Sequence, residues 1–487
     1  MPENDKGEHQ YMNFLTAKKM ILLMSIILLF ITTGCEKELT PESFLSGYDF
    51  GETKRDKAEG IFEFTLDALS EGYSYLEVKE RTYGFSFHQL KKHYKKKVEN
   101  AADYTEIFYY IDEMISILND KHTVLSHEQM EVYKNVPFTL NHEENEIFVD
   151  TLHPEWAKQF GKLNSGMKIV SIDNKPIDVI LQMVRDKSGY QYVRDQKMLV
   201  KNLFVLYSFY FKSSEENPEV LIIIEKKNGE QRKLTVQYYP AKGFPGDLYM
   251  AYGEKYEKGI EAGFYLDGQV GYVDINTFSP KYYKENFIEH SNEILESVQE
   301  ADTIILDIRN NPGGDFTKLG KNILSHFIDH EALLCAKEFK NSKFLHVFGQ
   351  GSRHYPGQAD LEGKFYPKKE IKITPAGKNN FSDKTVYLLV DRQIMSAADM
   401  FLNCYSDFGI GKIVGRTRQS NSGQPIRVDL PLKTKLSFCS LKMYSSSGKI
   451  IEDRLIEPNI HVEYCYQNEL DDTDHILNAA LDDFQTD

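Results

Sequence analysis

The amino-acid sequence predicts a mixed α/β protein, and three features of it carry that expectation. Apolar residues recur at three- and four-residue spacing through 61–129, and residues 130–238 form short β-rich runs broken by turns. From 263 to 480, apolar strands alternate with amphipathic helices. Such alternation builds a layered core in which helices cover a sheet. With 487 residues, 41% of them hydrophobic, the chain is too long for one core and rich enough to pack several.

The N-terminal segments are distinct in kind. Residues 21–31, ILLMSIILLFI, are an apolar stretch of eleven between Lys18–Lys19 and Thr32–Thr33–Gly34–Cys35. Eleven residues are too few to span a bilayer and fit the apolar part of a secretory signal. The small residues before Cys35 resemble the lipobox of bacterial lipoproteins. That implies a signal peptide over 1–35, a lipid on Cys35, and anchorage to the membrane of the bacterial cell envelope, on its periplasmic face or at the surface. Residues 36–60 are polar and charged, a tether. In 61–129 the clearest helical stripe is Ile107, Tyr110, Ile111, Met114, Ile115 and Leu118, stopping at Asn119–Asp120. The basic run Lys91–Lys92–His93–Tyr94–Lys95–Lys96–Lys97 reads as a solvated helix face.

Within 130–238, residues 161–177 (GKLNSGMKIVSIDNKPI) read as turn, strand, Asp-Asn turn, strand. Gly166, Ile169, Ile172 and Asn174 resemble the glycine-hydrophobic-asparagine signature of PDZ modules, which implies capture of extended peptides by strand addition. Residues 239–262, rich in Gly, Pro, Tyr and charge, are expected to be a linker. In the layered region, Tyr272–Ile275 and Thr303–Leu306 read as strands, 281–300 and 316–329 as helices, and Asn310–Gly314 as a turn.

Composition narrows the function. A formal charge of −15 argues against nucleic-acid binding, because a polyanion is repelled without a strong basic patch. Beyond Cys35 there are four cysteines, Cys335, Cys404, Cys439 and Cys465, whose spacings match no zinc motif. His326 and His330 lie four apart, but Phe327 stands where a zinc helix needs glutamate. No metal site and no phosphate loop is evident, and no cofactor is expected.

Two segments carry chemistry. The apolar run Val386–Val390 ends in a polar turn, and Ser396 then opens a helix-like segment with Ala397, Ala398, Met400 and Phe401. A serine there presents its hydroxyl beside the free N–H groups of a helix start, geometry suited to a nucleophile as well as to a helix cap. The segment Asp307–Ile308–Arg309–Asn310–Asn311–Pro312–Gly313–Gly314 follows a buried strand, and its paired glycines permit an N–H to approach a bound carbonyl.

These segments resemble the S41 family of tail-specific (C-terminal processing) serine peptidases. DIRNNPGG is similar to that family's D-x-R-x-N-x-G-G, Ser396–Ala397–Ala398–Asp399 to its S-A-S-E, and Ile413–Val414–Gly415–Arg416–Thr417 to the strand that follows. The resemblance extends over about 60–465 and implies a layered, ClpP/crotonase-like peptidase core over 263–480. It also implies an envelope-anchored serine endopeptidase that cleaves polypeptide tails through an acyl-enzyme intermediate.

One departure selects the branch. Where the Ser-Lys branch carries its lysine, this chain has Asn421, and an amide cannot take a proton. Leu118–Asn119–Asp120–Lys121–His122–Thr123 resembles the L-x-D-G-H-T segment of the tricorn-like branch, which implies His122 as general base. Glu452–Asp453–Arg454–Leu455–Ile456–Glu457–Pro458 is similar to that branch's glutamate segment. It implies Glu452 as the acid orienting His122, with Asp453 as substitute and Leu455 where glycine is usual. Gly313 or Gly314, together with Ala397, would donate to the oxyanion. Two alternatives remain: a catalytically inactive peptide-binding lipoprotein, and a Ser-Lys enzyme using a displaced lysine such as Lys412.

Overall fold

The computed structural model describes residues 40–128, 133–143, 146–152, 163, 166–212, 218–241, 259–283, 286–349, 363–378, 380–462 and 473–486. It divides into two units, Met1–Tyr48 and Asp49–Asp487. The expected signal peptide, Cys35, residues 36–39 of the tether, most of the linker and Cys465 lie outside the described residues. Among those described, no helix is long and apolar enough to cross a membrane. In the smaller unit, Thr40 caps the short helix Pro41–Leu45.

The larger unit opens with the helices Lys54–Asp67, Leu76–Tyr83, Phe87–Glu99 and Tyr104–Ser116. The last, capped by Asp103, is buried without a break from Ile107 to Ile115, a span that includes Ile107, Tyr110, Ile111, Met114 and Ile115 of the predicted stripe. The basic run lies on the third of these helices, whose Leu90, Tyr94 and Val98 face inward.

An antiparallel sheet follows, with strands Phe138–Glu143, Glu146–Leu152, Lys168–Ile172, Glu219–Glu225 and Gln231–Gln237 in that spatial order. Between its third and fourth strands the chain forms the helices Ile177–Lys187, Gln196–Lys201 and Leu203–Lys212, where only short β-rich runs are expected from sequence. The last of them, LFVLYSFYFK, buries Leu203–Ser208 without interruption. A run apolar on every side has no helical period to read, and its aromatic and β-branched content favours a strand assignment until burial decides otherwise.

The layered region is built on a six-stranded sheet. Its spatial order is Ile260–Tyr265, Val270–Ile275, Thr303–Asp307, Thr385–Val390, Lys412–Gly415 and Ile460–His461, and every pair after the first is parallel. The middle strands are buried on both faces. Ile304, Leu306, Val386 and Leu388 pack on one side with Phe401 and Leu402 of the helix Ala397–Phe408, while Ile305, Tyr387 and Leu389 pack on the other with Leu477 and Ala480 of the helix His475–Thr486. Helices therefore cover both faces. The helix expected over 281–300 spans Phe287–Ser297, and the one expected over 316–329 is a wide turn, Phe316–Gly320, leading into Lys321–Ser325.

A smaller sheet positions the base loop. Val124–Ser126 pairs with Thr434–Cys439, setting Val124 opposite Ser437, and thereby draws residues 119–123 from the helical region onto the layered core.

Arg309 fastens the C-terminal helix to the sheet. Its Nη1 and Nη2 donate to Asp474 Oδ1 and Oδ2, both at 2.7 Å, while Nε and Nη2 reach Asp307 at 2.9 and 2.6 Å. Removing one partner of such a pair costs roughly 3–5 kcal/mol when the pair is fully buried. Because Asp474 is 38% exposed, Arg309→Leu is expected to lower unfolding free energy by only about 2 kcal/mol in urea titration. Arg309→Leu with Asp474→Asn should lose less than the sum of the single changes.

Candidate active site

Ser396 sits between the strand Thr385–Val390 and the helix Ala397–Phe408, at φ 59° and ψ −110°. A non-glycine residue at positive φ is strained, by about 1–3 kcal/mol, and persists only where its surroundings over-determine it. They do. Asp391 Oδ1 accepts N–H from Gln393 (2.9 Å) and Ile394 (3.2 Å), and its Oδ2 accepts from Asn310 (3.0 Å). Met395 N–H donates to the Asn311 carbonyl at 2.9 Å. Ser396 N–H itself donates to Asp399 Oδ2 at 3.2 Å.

The glycine pair lies against this turn. A Cβ on Gly313 (φ 97°) would meet Met395 O at 2.7 Å and Ala397 N and Ser396 Cβ at 2.8 Å; one on Gly314 (φ 141°) would meet the Phe278 carbonyl carbon at 2.2 Å. Both positions therefore require glycine. Their amides differ. Gly313 N–H is consumed by Asn311 Oδ1 at 2.8 Å, so the expectation that Gly313 serves as an oxyanion donor is corrected. Its part is to leave room. Gly314 bridges Phe278 through its neighbours, Phe278 N–H to Gly313 O and Asp315 N–H to Phe278 O, both 2.9 Å. That leaves the Gly314 and Ala397 amides as the candidate donors, Ala397 by its place at the helix start.

Around Asp399 the distant segments meet. Asp399 Oδ2 also accepts Asn421 N–H at 3.1 Å and Arg418 Nη2 at 3.2 Å. Asn421 Nδ2 donates to Glu452 Oε1 at 3.3 Å, and Ser422 N–H to Glu452 Oε2 at 2.7 Å. His122 is drawn into the same field: its imidazole senses the charges of Asp120, Asp399 and Arg418. Burial, its largest influence, holds the imidazole below the ordinary histidine range, so His122 is neutral near pH 7.

The acid member is not where the sequence predicts it. Both Glu452 oxygens are taken, Oε1 by Lys79 Nζ at 2.6 Å as well as by Asn421, Oε2 by Ser422 N–H. Asp453, the substitute, is held through Oδ1 by Lys79 at 2.9 Å and Tyr83 OH at 2.6 Å. His122 Nδ1 has no hydrogen-bond partner, and the carboxylate at hand is Asp120, whose Oδ1 lies 3.8 Å away. Asp120 already accepts His122 N–H (2.8 Å) and Thr123 Oγ1 (2.7 Å). Lys412 is also excluded as a base, since it pairs with Asp483 at 2.7 Å at the end of its strand remote from Ser396.

Sequence reasoning missed Lys79 and Asp120 as parts of this site. Asp120 was legible in the segment that holds His122. Lys79, a lysine on a mixed helix whose partners come 373 and 374 residues later, carried no local signal. The three described cysteines, Cys335, Cys404 and Cys439, are buried free thiols.

Comparison with known proteins fits this geometry. Residues 269–462 match the model of Peptidase family S41. The matched stretch is a serine-peptidase domain. Three solved structures share the fold: mature CPAF (TM-score 0.57, 16% identity, covering 85% of this chain and 94% of that one), a CPAF serine-to-alanine mutant (0.57, 17%, 86% and 96%), and mature CPAF complexed with lactacystin (0.54, 16%, 85% and 95%). None of the curated proteins compared matches the sequence. At these identities the structural likeness is one of fold.

Two outcomes follow for the peptidase domain. With His122 depressed by burial, the acidic limb of kcat/KM is expected to have its midpoint below pH 6.5, the ordinary histidine value. A midpoint at or above that value would assign the limb to another group. Lys79→Met leaves the Glu452 and Asp453 carboxylates without their buried cation and should cost roughly 3–5 kcal/mol in urea titration. Glu452 is held above its ordinary range by burial. A carboxyl whose folded pKa is raised loses stability as pH rises through the unfolded value, so the deficit should narrow as pH falls.

Proposed function

We propose that this protein is an endopeptidase of the bacterial cell envelope, held there by lipid on Cys35, that cleaves polypeptide tails through an acyl-enzyme on Ser396. The observation that carries it is the strained serine turn packed directly on Gly313–Gly314, with a buried neutral imidazole in the same electrostatic field. His122 takes the Ser396 proton as Oγ attacks the scissile carbonyl. The oxyanion forms beside the Gly314 and Ala397 amides, each donor worth about 3 kcal/mol in such sites. His122 then returns the proton to the departing amine, and water, deprotonated in the same way, releases the acyl group. The sheet over 138–237 is read as a PDZ-like module that aligns an extended tail by strand addition. The tricorn-like assignment rests on His122 and on the absence of a lysine at 421. Nucleic acid is not among the proposed partners.

A second reading has its own support. Because Lys79 holds both Glu452 and Asp453, His122 lacks the orienting carboxylate, as in a catalytically silent peptide-binding protein. One experiment separates the two. Wild type and Ser396→Ala are assayed on an unfolded protein and labelled with a fluorophosphonate, with lactacystin, bound by mature CPAF, as competitor. The enzyme reading expects Ser396-dependent labelling and a loss of about four orders of magnitude or more in kcat for the variant. Equal cleavage by both proteins would sink it, and peptide binding without turnover or labelling would establish the silent form.

A further inference from the structure

His122 also belongs to a second constellation. Ligand atoms of Asp120, His122 and Cys439 all lie within 4.8 Å of one another. They arrive from two places, the base loop and the strand Thr434–Cys439 that pairs with Val124–Ser126. A tetrahedral site with bonds of about 2.0–2.3 Å has edges of roughly 3.3–3.8 Å, and His122 Nδ1 already stands 3.8 Å from Asp120 Oδ1. Two further observations point to a ligand. His122 Nδ1 is buried without a hydrogen-bond partner, on a side chain only 10% exposed, and the buried Tyr73 hydroxyl nearby is likewise unpartnered.

We infer that Asp120, His122 and Cys439 form a binding site for a zinc-class divalent cation that switches the peptidase off. Thiolate, imidazole and carboxylate together select zinc over calcium or magnesium. On binding, the Cys439 thiol gives its proton to water and its sulfur lone pair to the metal. The metal takes the Nδ1 lone pair of His122, so the neutral ring carries its proton on Nε2. A ring in that tautomer can donate to Ser396 but cannot accept its proton. The fourth position is left for water. The inhibitory consequence rests on the reading of His122 as base; the site itself does not.

Cobalt(II) and zinc added to the full-length protein test both parts. Cobalt should produce a thiolate-to-metal charge-transfer band in the near ultraviolet, and zinc should raise the thermal midpoint and inhibit cleavage, reversibly with a chelator. Cys439→Ser should lose the band and bind zinc about 100-fold more weakly while keeping basal cleavage; Cys439→Ala provides the same comparison should the serine variant fail to fold. No cobalt band in wild type, or an undiminished band in the Cys439 variants, would overturn the site. A band with no effect of zinc on an active enzyme would overturn the switch. A band on a protein that cleaves nothing and takes no fluorophosphonate would uphold the site and reject the peptidase reading instead.

Discussion

Lys79 is a cation with no solvent-exposed side-chain surface, and the arrangement around the serine depends on it. Stripping water from an ammonium costs several kcal/mol, which only well-placed opposite charges offset. Here the compensation comes from Glu452, Asp453 and the Asn119 carbonyl, at 2.6, 2.9 and 3.3 Å. The carbonyl belongs to the loop that carries His122, and the carboxylates belong to the C-terminal part of the layered core. One nitrogen thus ties a helix from early in the chain, the base loop and the segment after Ile451. The strand pairing of Val124–Ser126 with Thr434–Cys439 repeats the connection through the backbone. Without such ties the loop bearing His122 would have few reasons to lie on the core at all.

What could be read from sequence follows from whether a signal is local. The strand Thr303–Asp307 was legible because five consecutive buried residues with β-branched content, bounded by polar ones, admit few other structures. The serine turn was legible for a similar reason: an apolar strand, a polar turn and a helix start lie side by side in the chain. The helix Leu203–Lys212 was not, since a segment apolar on all sides carries no period. The acid partner failed for a different cause. Glu452 sits in a family-like segment, but its local context contains nothing about Lys79, which arrives from the other end of the chain and pairs with its Oε1.

The strained serine and the buried acids are linked by one continuous set of hydrogen bonds. Asp399 fixes the Ser396 amide, Asn421 joins Asp399 to Glu452, and Glu452 leads to Lys79. Arg418 keeps the buried Asp399 from standing alone, and it also donates to the Arg392 carbonyl at 3.1 Å, inside the turn that precedes the serine. Ser396 therefore holds its positive φ because the groups around it are themselves pinned by charge. The carboxylates whose charges act on His122 are those of Asp120 and Asp399.

Asn421 is intelligible within that network. Its amide nitrogen and the Lys79 ammonium approach the same oxygen, Glu452 Oε1, at 3.3 and 2.6 Å. A lysine in place of Asn421 would bring a second ammonium to about 5 Å from the first, a repulsion of roughly 3 kcal/mol at an effective dielectric of about 20. An amide avoids that repulsion and still supplies a donor. The same repulsion would push a lysine at 421 towards its neutral form, so charge alone does not exclude a lysine base there. Asn421 itself cannot take a proton, and its part in this chain is to join Asp399 to Glu452 through its two N–H groups.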